Sequence, residues 1–410
     1  MTSESTQTPV RNRGWIVTFA GLGINLALGV LYTWSMFKPA MKKEFGWQES
    51  QYNDPFALCC LVFAGAMILA GRCQDKIGPR LTATFGGVLV GAGMMLISTT
   101  TSYGVWLLGF GVLVGLGLGF GYSSATPPAL KWFPPAKTGL IAGLVVAGFG
   151  LAPVYLAPAS EYLLKNHGIL KSMMILGGSF IVIVCVLSQL LINPPPGFVA
   201  HGTPVQPGNV KTPAASSSPS EILRTPQFWL LWLIYAIGSG AGLMVIASIG
   251  PMAKATMKDV FIAVAVMAVG NASGRICAGL LSDKIGRRWT LMLVLLVQAV
   301  LMFVAIPVTA SIGNAGFVIV ILAALIGANY GANLSLFPSF AKDLWGLKNF
   351  GMNYGTLFTA WGVGGFVLPA LQERLKASSG NYQSSFVTAG LLLIVAGALT
   401  FFIKQQPKPV

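Results

Sequence analysis

Long apolar stretches separated by short polar ones run through the whole chain. Twelve of them are long enough to cross a bilayer: roughly 15–37, 53–71, 81–100, 104–130, 138–163, 170–192, 226–249, 259–281, 289–310, 314–340, 350–372 and 383–403. An α-helix needs about 20 apolar residues to cross a hydrocarbon core of about 30 Å. Between the sixth and seventh runs lies Asn193 to Ser220, rich in Pro, Ser and Gly, with Pro194-Pro195-Pro196 at one end and Ser216-Ser217-Ser218-Pro219 at the other. Such a composition makes a flexible connection. The pattern predicts an all-α integral membrane protein: an N-terminal six-helix half over 1–192, a linker over 193–222 and a C-terminal six-helix half over 223–410.

A repeat supports that division. Gly71-Arg-Cys-Gln-Asp75-Lys-Ile-Gly78-Pro-Arg80 returns 208 residues later as Gly279-Leu-Leu-Ser-Asp283-Lys-Ile-Gly286-Arg-Arg288. At the same offset Tyr122 matches Tyr330, each inside a glycine-rich span. One shift relating two separate motifs implies two homologous halves, an architecture that secondary transporters use for alternating access.

Composition narrows the class. Of 410 residues 54% are hydrophobic and 9% charged, too few charges for an ordinary soluble domain. The formal charge of +15 would suit nucleic acid, but Lys and Arg also accumulate in the cytoplasmic loops of membrane proteins. With an even number of spans, sixteen Lys and Arg fall on the side shared by both termini and the linker, against nine on the other. That side is expected to be cytoplasmic, in a multi-pass protein of the plasma (inner) membrane, and nucleic acid is not an expected partner. Met1 to Val10 is polar and holds no signal-peptide core. The five cysteines lack metal-ligand or disulfide spacing and read as small packing residues. No buried acid pair, no His beside a nucleophile and no metal-ligand cluster emerges, so neither catalysis nor a metal nor a cofactor is expected.

One residue breaks the apolar pattern. Arg275 lies in the run Phe261 to Leu281, eight residues before Asp283. At 1.5 Å per residue its guanidinium is about 12 Å from the membrane edge. A charge there costs about 2.5–3.5 kcal/mol on insertion scales and marks a functional site by default. All eleven acids lie near span ends or in loops, so a carboxylate from outside the chain is the candidate partner, held by the guanidinium fork. Asn271, one turn earlier, adds a hydrogen-bonding group on the same face. The alternative is a structural arginine bonded to backbone carbonyls. The repeat sends Arg275 to Met67 and Asn271 to Phe63, so the charge is one-sided and faces an apolar wall. Tyr122 and Tyr330 are candidate hydroxyl donors, Leu28 and Tyr32 of the first span a candidate apolar closure, and Phe358 and Trp361 candidate bulky gates on a glycine-rich span; for each aromatic, plain packing is the alternative. Gly115-Leu-Gly117-Leu-Gly119-Phe-Gly121 lacks the strand and acidic residue of a dinucleotide loop and reads as close helix packing. The two loop motifs place Asp75, Arg80, Asp283 and Arg288 on one face as candidate gating residues.

The loop motif, present in both halves, resembles that of the major facilitator superfamily. Glu221-Ile-Leu-Arg-Thr-Pro-Gln-Phe-Trp229, Lys131-Trp-Phe-Pro134 and Leu336-Phe-Pro-Ser339 are similar to stretches of its oxalate/formate antiporter and monocarboxylate porter branch, whose span-8 arginine corresponds to Arg275. The resemblance implies a carrier whose cytoplasmic loops hold that side shut in the outward-facing state. Departures matter. The oxalate carrier of this branch has a span-11 lysine where Trp361 stands, which argues against a dianion. Animal-type porters pair an aspartate with their arginine where Asn271 stands, and carry a span-1 lysine aligned with Met36. The expectation is a proton-coupled symporter of short monocarboxylates such as lactate or pyruvate, acting as a monomer in the lipid bilayer. Anion exchange and a carboxylate-sensing receptor are the alternatives.

Overall fold

A computed structural model describes residues 12–195, 198, 200, 217–254, 260–310 and 316–404. Most of the predicted linker and the N-terminal eleven residues lie outside the described residues. The chain is a bundle of membrane-length helices: α1 Gly14–Leu28, α2 Trp34–Glu44, α3 Asp54–Ile77, α4 Pro79–Ile97, α5 Gly115–Lys131, α6 Thr138–Ser188, α7 Pro226–Lys254, α8 Val260–Ile285, α9 Arg287–Ala310, α10 Gly316–Trp345, α11 Phe350–Ser379 and α12 Gln383–Leu399. Ten helical segments are long and apolar enough to span by length and composition alone. One of them contains the 51-residue α6, which folds back at Gly168, where φ is +70°. Its two arms are therefore separate spans, and α8 completes twelve among the described residues. The first span is compound, with α1 joined to α2 by a 3-10 turn over Gly29–Thr33. The outer surface carries bare Leu69, Leu81, Val182, Val300 and Phe317, which only lipid would cover. Of the five cysteines Cys59 is buried, whereas Cys277 is exposed, so packing does not account for the latter.

Two seams join the halves near the face that holds the linker, and they are pseudo-symmetric. In the first, α3 lies against α11: a Cβ on Gly71 would stand 2.1 Å from the Gly351 carbonyl oxygen, and one on Gly355 2.2 Å from that of Met67. In the second, α8 lies against α6: a Cβ on Gly279 would stand 2.1 Å from the Gly139 carbonyl oxygen, and one on Gly143 2.4 Å from that of Arg275. Gly71 and Gly279 are the repeated motif glycines, and Met67 and Arg275 are the repeat-related pair above them. Small residues allow this backbone-to-backbone approach in lipid, where apolar side chains gain little from leaving their surroundings. The glycine run of α5 works likewise: Gly117 fits against Gly86, Gly119 against Ala66 and Gly121 against Leu28.

Below each seam an acid caps a helix of the opposite half. The carboxylate of Asp75 accepts from the backbone N–H of Gly351 and Met352 at 3.1 and 3.0 Å. That of Asp283 accepts from Gly139 and Leu140, both at 2.9 Å. These are the second and third residues of α11 and α6, whose free N–H groups and positive dipole ends suit a carboxylate. The linker face is thus closed by the same device twice.

Candidate functional site

Arg275 is fully buried between the halves. Its Nε donates to Asn271 Oδ1 at 3.0 Å, across the one turn that separates them on α8. Its Nη1 donates to the backbone carbonyl of Val146 on α6, across the seam. Its Nη2 is buried without a partner. No described carboxylate pairs with it. The structural reading of this arginine is therefore met in part: a carbonyl holds one edge, and a donor is left over.

A small cavity, with room for about one water molecule, lies beside the guanidinium, lined by Tyr32, Phe63, Tyr122, Phe149, Arg275, Leu334, Phe358 and Trp361. The walls are aromatic: Phe63 meets Phe149, Phe358 and Trp361 at 6.0, 5.2 and 5.5 Å between centroids. Phe149 sits between Gly148 and Gly150, which let α6 approach α1 on one side and the Asn271–Arg275 pair on the other. Seven of the eight lining residues are buried, and Tyr32 is partly exposed.

Tyr32 makes a contact between the halves. Its hydroxyl shares a 2.8 Å hydrogen bond with that of Tyr330, which also accepts from Trp361 Nε1 at 2.9 Å. Tyr330 thus stands behind the lining, holding Tyr32 and Trp361, rather than in it. Leu28 is not among the lining residues; it packs against Gly121. The expected shared face of Leu28 and Tyr32 assumed an α-helix. In a 3-10 turn, at three residues per turn, four positions advance about 480°, which swings Tyr32 about 120° past the face of Leu28. Phe149 and Leu334 were not among the sequence candidates. Gly148-Phe149-Gly150 carried a signal for the first, and Leu334 carried none beyond lying one turn past Tyr330.

At the linker face the four expected gating residues separate. Asp75 and Asp283 cap the opposing helices. Arg80 is exposed. Arg288 lies over the rings of Trp289 and Phe401 at 5.5 and 5.3 Å. The arginine that joins the network is Arg287, which pairs with Asp283 at 2.6 Å and Asp343 at 3.0 Å. Gly286, at φ +98°, ends α8, and α9 begins at Arg287, which directs that side chain back over the preceding acid. Lys342 Nζ adds a 2.5 Å bond to Thr138 Oγ1 across the halves. Arg287→Leu is expected to lower the melting temperature in detergent, since hydrogen bonds to charged groups contribute about 1.5–3 kcal/mol each. Arg288→Leu, which removes only contacts with two surface rings, is expected to shift it far less; equal melting curves for wild type and Arg287→Leu would contradict this account.

A carboxylate has the chemistry to meet the donor left free at the centre. Its planar oxygens match a guanidinium edge, and the cavity offers Arg275 and phenolic hydroxyls on one side and rings on the other. Twelve spans in two related halves, with a small cavity between them and the linker face sealed, define a membrane carrier. Residues 16–258 and 243–410 match the Major Facilitator Superfamily, and the chain belongs to that family. It is therefore a multi-pass membrane transporter and not an enzyme. It is 28% identical over 405 residues to the oxalate:formate antiporter of Oxalobacter formigenes, covering 97% of this chain and 93% of that protein. It is 24% identical over 405 residues to monocarboxylate transporter 11 of Mus musculus, covering 96% and 88%. The fold matches the crystal structure of the Major Facilitator Superfamily transporter FucP in the outward conformation, with a TM-score of 0.71 at 16% identity over 96% of this chain and 100% of that one.

Proposed function

We propose that this transporter carries short monocarboxylates of the lactate and pyruvate kind together with a proton, by alternating access. The observation that carries the reading is the free Nη2 of one buried guanidinium beside an otherwise aromatic cavity. One cation suits one carboxylate, and the rings suit a short alkyl remainder. Relatives named for monocarboxylates and for oxalate and formate support a small carboxylate as cargo.

The halves are assigned to 1–192 and 223–410, joined by 193–222, and the carrier acts as a monomer. The Lys/Arg excess on the side of the termini and linker assigns that face to the cytoplasm, with the protein in the inner membrane. The Asp75 and Asp283 caps then hold the cytoplasmic side shut in an outward-facing state. Carboxylate enters past Tyr32, displaces a partner of Arg275 and is enclosed when Tyr32 meets Tyr330. Reorientation then requires both caps to break. With no described acid beside Arg275, the proton rides on the carboxylate or on water.

The empty carrier must also return. An unpartnered buried charge would oppose that step, but Val146 and Asn271 share the charge of Arg275 when no anion is bound. This pairing supports net symport. A second reading, anion exchange, is favoured by the similarity to the oxalate:formate antiporter. Uptake of C2–C5 acids into proteoliposomes, with pH recorded, separates them. Lactate uptake is expected to alkalinise the outside and to rise with an inward proton gradient. Flux that ignores the gradient and requires internal counter-anion would establish exchange instead.

A further inference from the structure

Three buried tyrosines stand around the linker-side wall of the cavity, and the transport step just described uses none of them. Tyr122, Tyr235 and Tyr354 surround Phe358, with ring centroids 5.5, 6.2 and 5.8 Å from it. They come from α5, α7 and α11, so the cluster spans both halves. Each is at least 97% buried, and none of the three hydroxyls has a hydrogen-bond partner. The hydroxyl of Tyr354 lies close to those of both Tyr122 and Tyr235, near enough for a weak interaction with each. The rings have little freedom to improve on this. Tyr235 stacks on Phe337 at 3.9 Å and 14°, and Tyr354 stacks on Phe350 at 5.8 Å and 25°.

Buried hydroxyls without a full hydrogen-bond partner are costly, while a phenylalanine of the same shape would pack there without that cost. Three of them gathered around Phe358 suit a ligand that accepts hydrogen bonds. Their depth says when. Tyr354 is four residues into α11, about 6 Å from its linker end, whereas Arg275 is ten residues from the end of α8, about 15 Å. Tyr122 lines the central cavity as well, and Phe358 stands between the two levels.

We propose that the hydroxyls of Tyr122, Tyr235 and Tyr354 form a second, inner site that takes the carboxylate from Arg275 as the linker face opens and Phe358 moves aside. The inference rests on the monocarboxylate reading. Neutral phenols hold an anion more weakly than a guanidinium, which suits a station for release and for entry from that side. Charge is passed to donors already in place, so the anion is not stripped of partners between Arg275 and water.

The test is the double variant Tyr235→Phe/Tyr354→Phe, which leaves the lining tyrosines untouched. Lactate flux is measured in vesicles of both orientations, with binding and melting temperature measured on purified protein. The half-saturation for lactate presented at the linker face is expected to rise about tenfold, while that at the opposite face stays within about twofold. The melting temperature is expected to hold or rise, because two unsatisfied hydroxyls are gone. Unchanged half-saturation at both faces, or an equal rise at both, would overturn the inner site, as would a lowered melting temperature with both faces alike. Tyr354→Phe alone is expected to give a smaller rise on the same side, and its indifference would count equally against the proposal. Wild-type vesicles run in parallel separate the two levels. No lactate flux in wild type overturns the monocarboxylate reading itself, whereas wild-type flux with an indifferent double variant overturns only the inner site.

Discussion

Arg275→Ala is expected to abolish carboxylate binding and transport, and Arg275→Lys to impair both. In the alanine variant the cavity keeps its rings and hydroxyls but no cation. Truncating one partner of a buried, hydrogen-bonded charge pair costs about 2–5 kcal/mol. At 1.4 kcal/mol per decade that is a loss of up to about three orders of magnitude in affinity. The lysine variant keeps a charge but offers no fork. It also cannot span Asn271 Oδ1, the Val146 carbonyl and a ligand with one planar group, as the guanidinium's Nε, Nη1 and Nη2 do. Calorimetric titration with lactate and vesicle uptake read both effects. The fold is expected to survive, because alanine removes a buried charge whose Nη2 was unsatisfied. Normal uptake by Arg275→Ala would sink the central claim about this site.

Gly71→Val and Gly279→Val are each expected to hold the linker face open and cut uptake at least tenfold. A Cβ at either position would lie 2.1 Å from a backbone oxygen of the other half. Backbone in a packed helix has no rotamer to swing away, so the overlap is relieved by separating α3 from α11 or α8 from α6. That separation is the opening itself. Inverting a 99:1 equilibrium takes about 5.5 kcal/mol of differential stability, and a backbone collision present in only one state acts on that difference alone. Spin labels at the exposed positions Arg72 and Lys348, in a cysteine-free background, are expected to move apart by several ångströms. Gly65→Val is the control on the same helix, since nothing lies within 4 Å of a Cβ there. Unaltered label distances in Gly71→Val, with normal uptake, would show that the seam is not the barrier.

Much of the protein was legible before any coordinates. Asn271, one turn from Arg275, shares its face, because that spacing places two side chains together on any α-helix, though their hydrogen bond to each other was not foreseen. The repeat paired Asp75 with Asp283 and Gly71 with Gly279, and each pair makes the same contact in its own seam. Where a helix departed from regularity, the reading slipped: the 3-10 turn took Tyr32 away from Leu28. Where two arginines stood side by side, sequence offered no means to choose Arg287 over Arg288, since the choice depends on where α9 begins.

By itself the sequence determined the number of spans, their pairing across the repeat, the depth of Arg275 and the absence of an acid near it. Those are properties of position along the chain, read from length, charge and spacing. Only the tertiary structure decided which face of each helix looks inward. Lipid and protein interior are both apolar, so a membrane helix lacks the polar stripe that marks the outer face of a soluble one. The bond between Tyr32 and Tyr330, the carbonyl of Val146 beneath Arg275 and the gathering of three tyrosines around Phe358 all follow from that hidden rotation. They join residues from opposite halves, 298 positions apart in the case of Tyr32 and Tyr330, and so become visible only when the halves are set against each other.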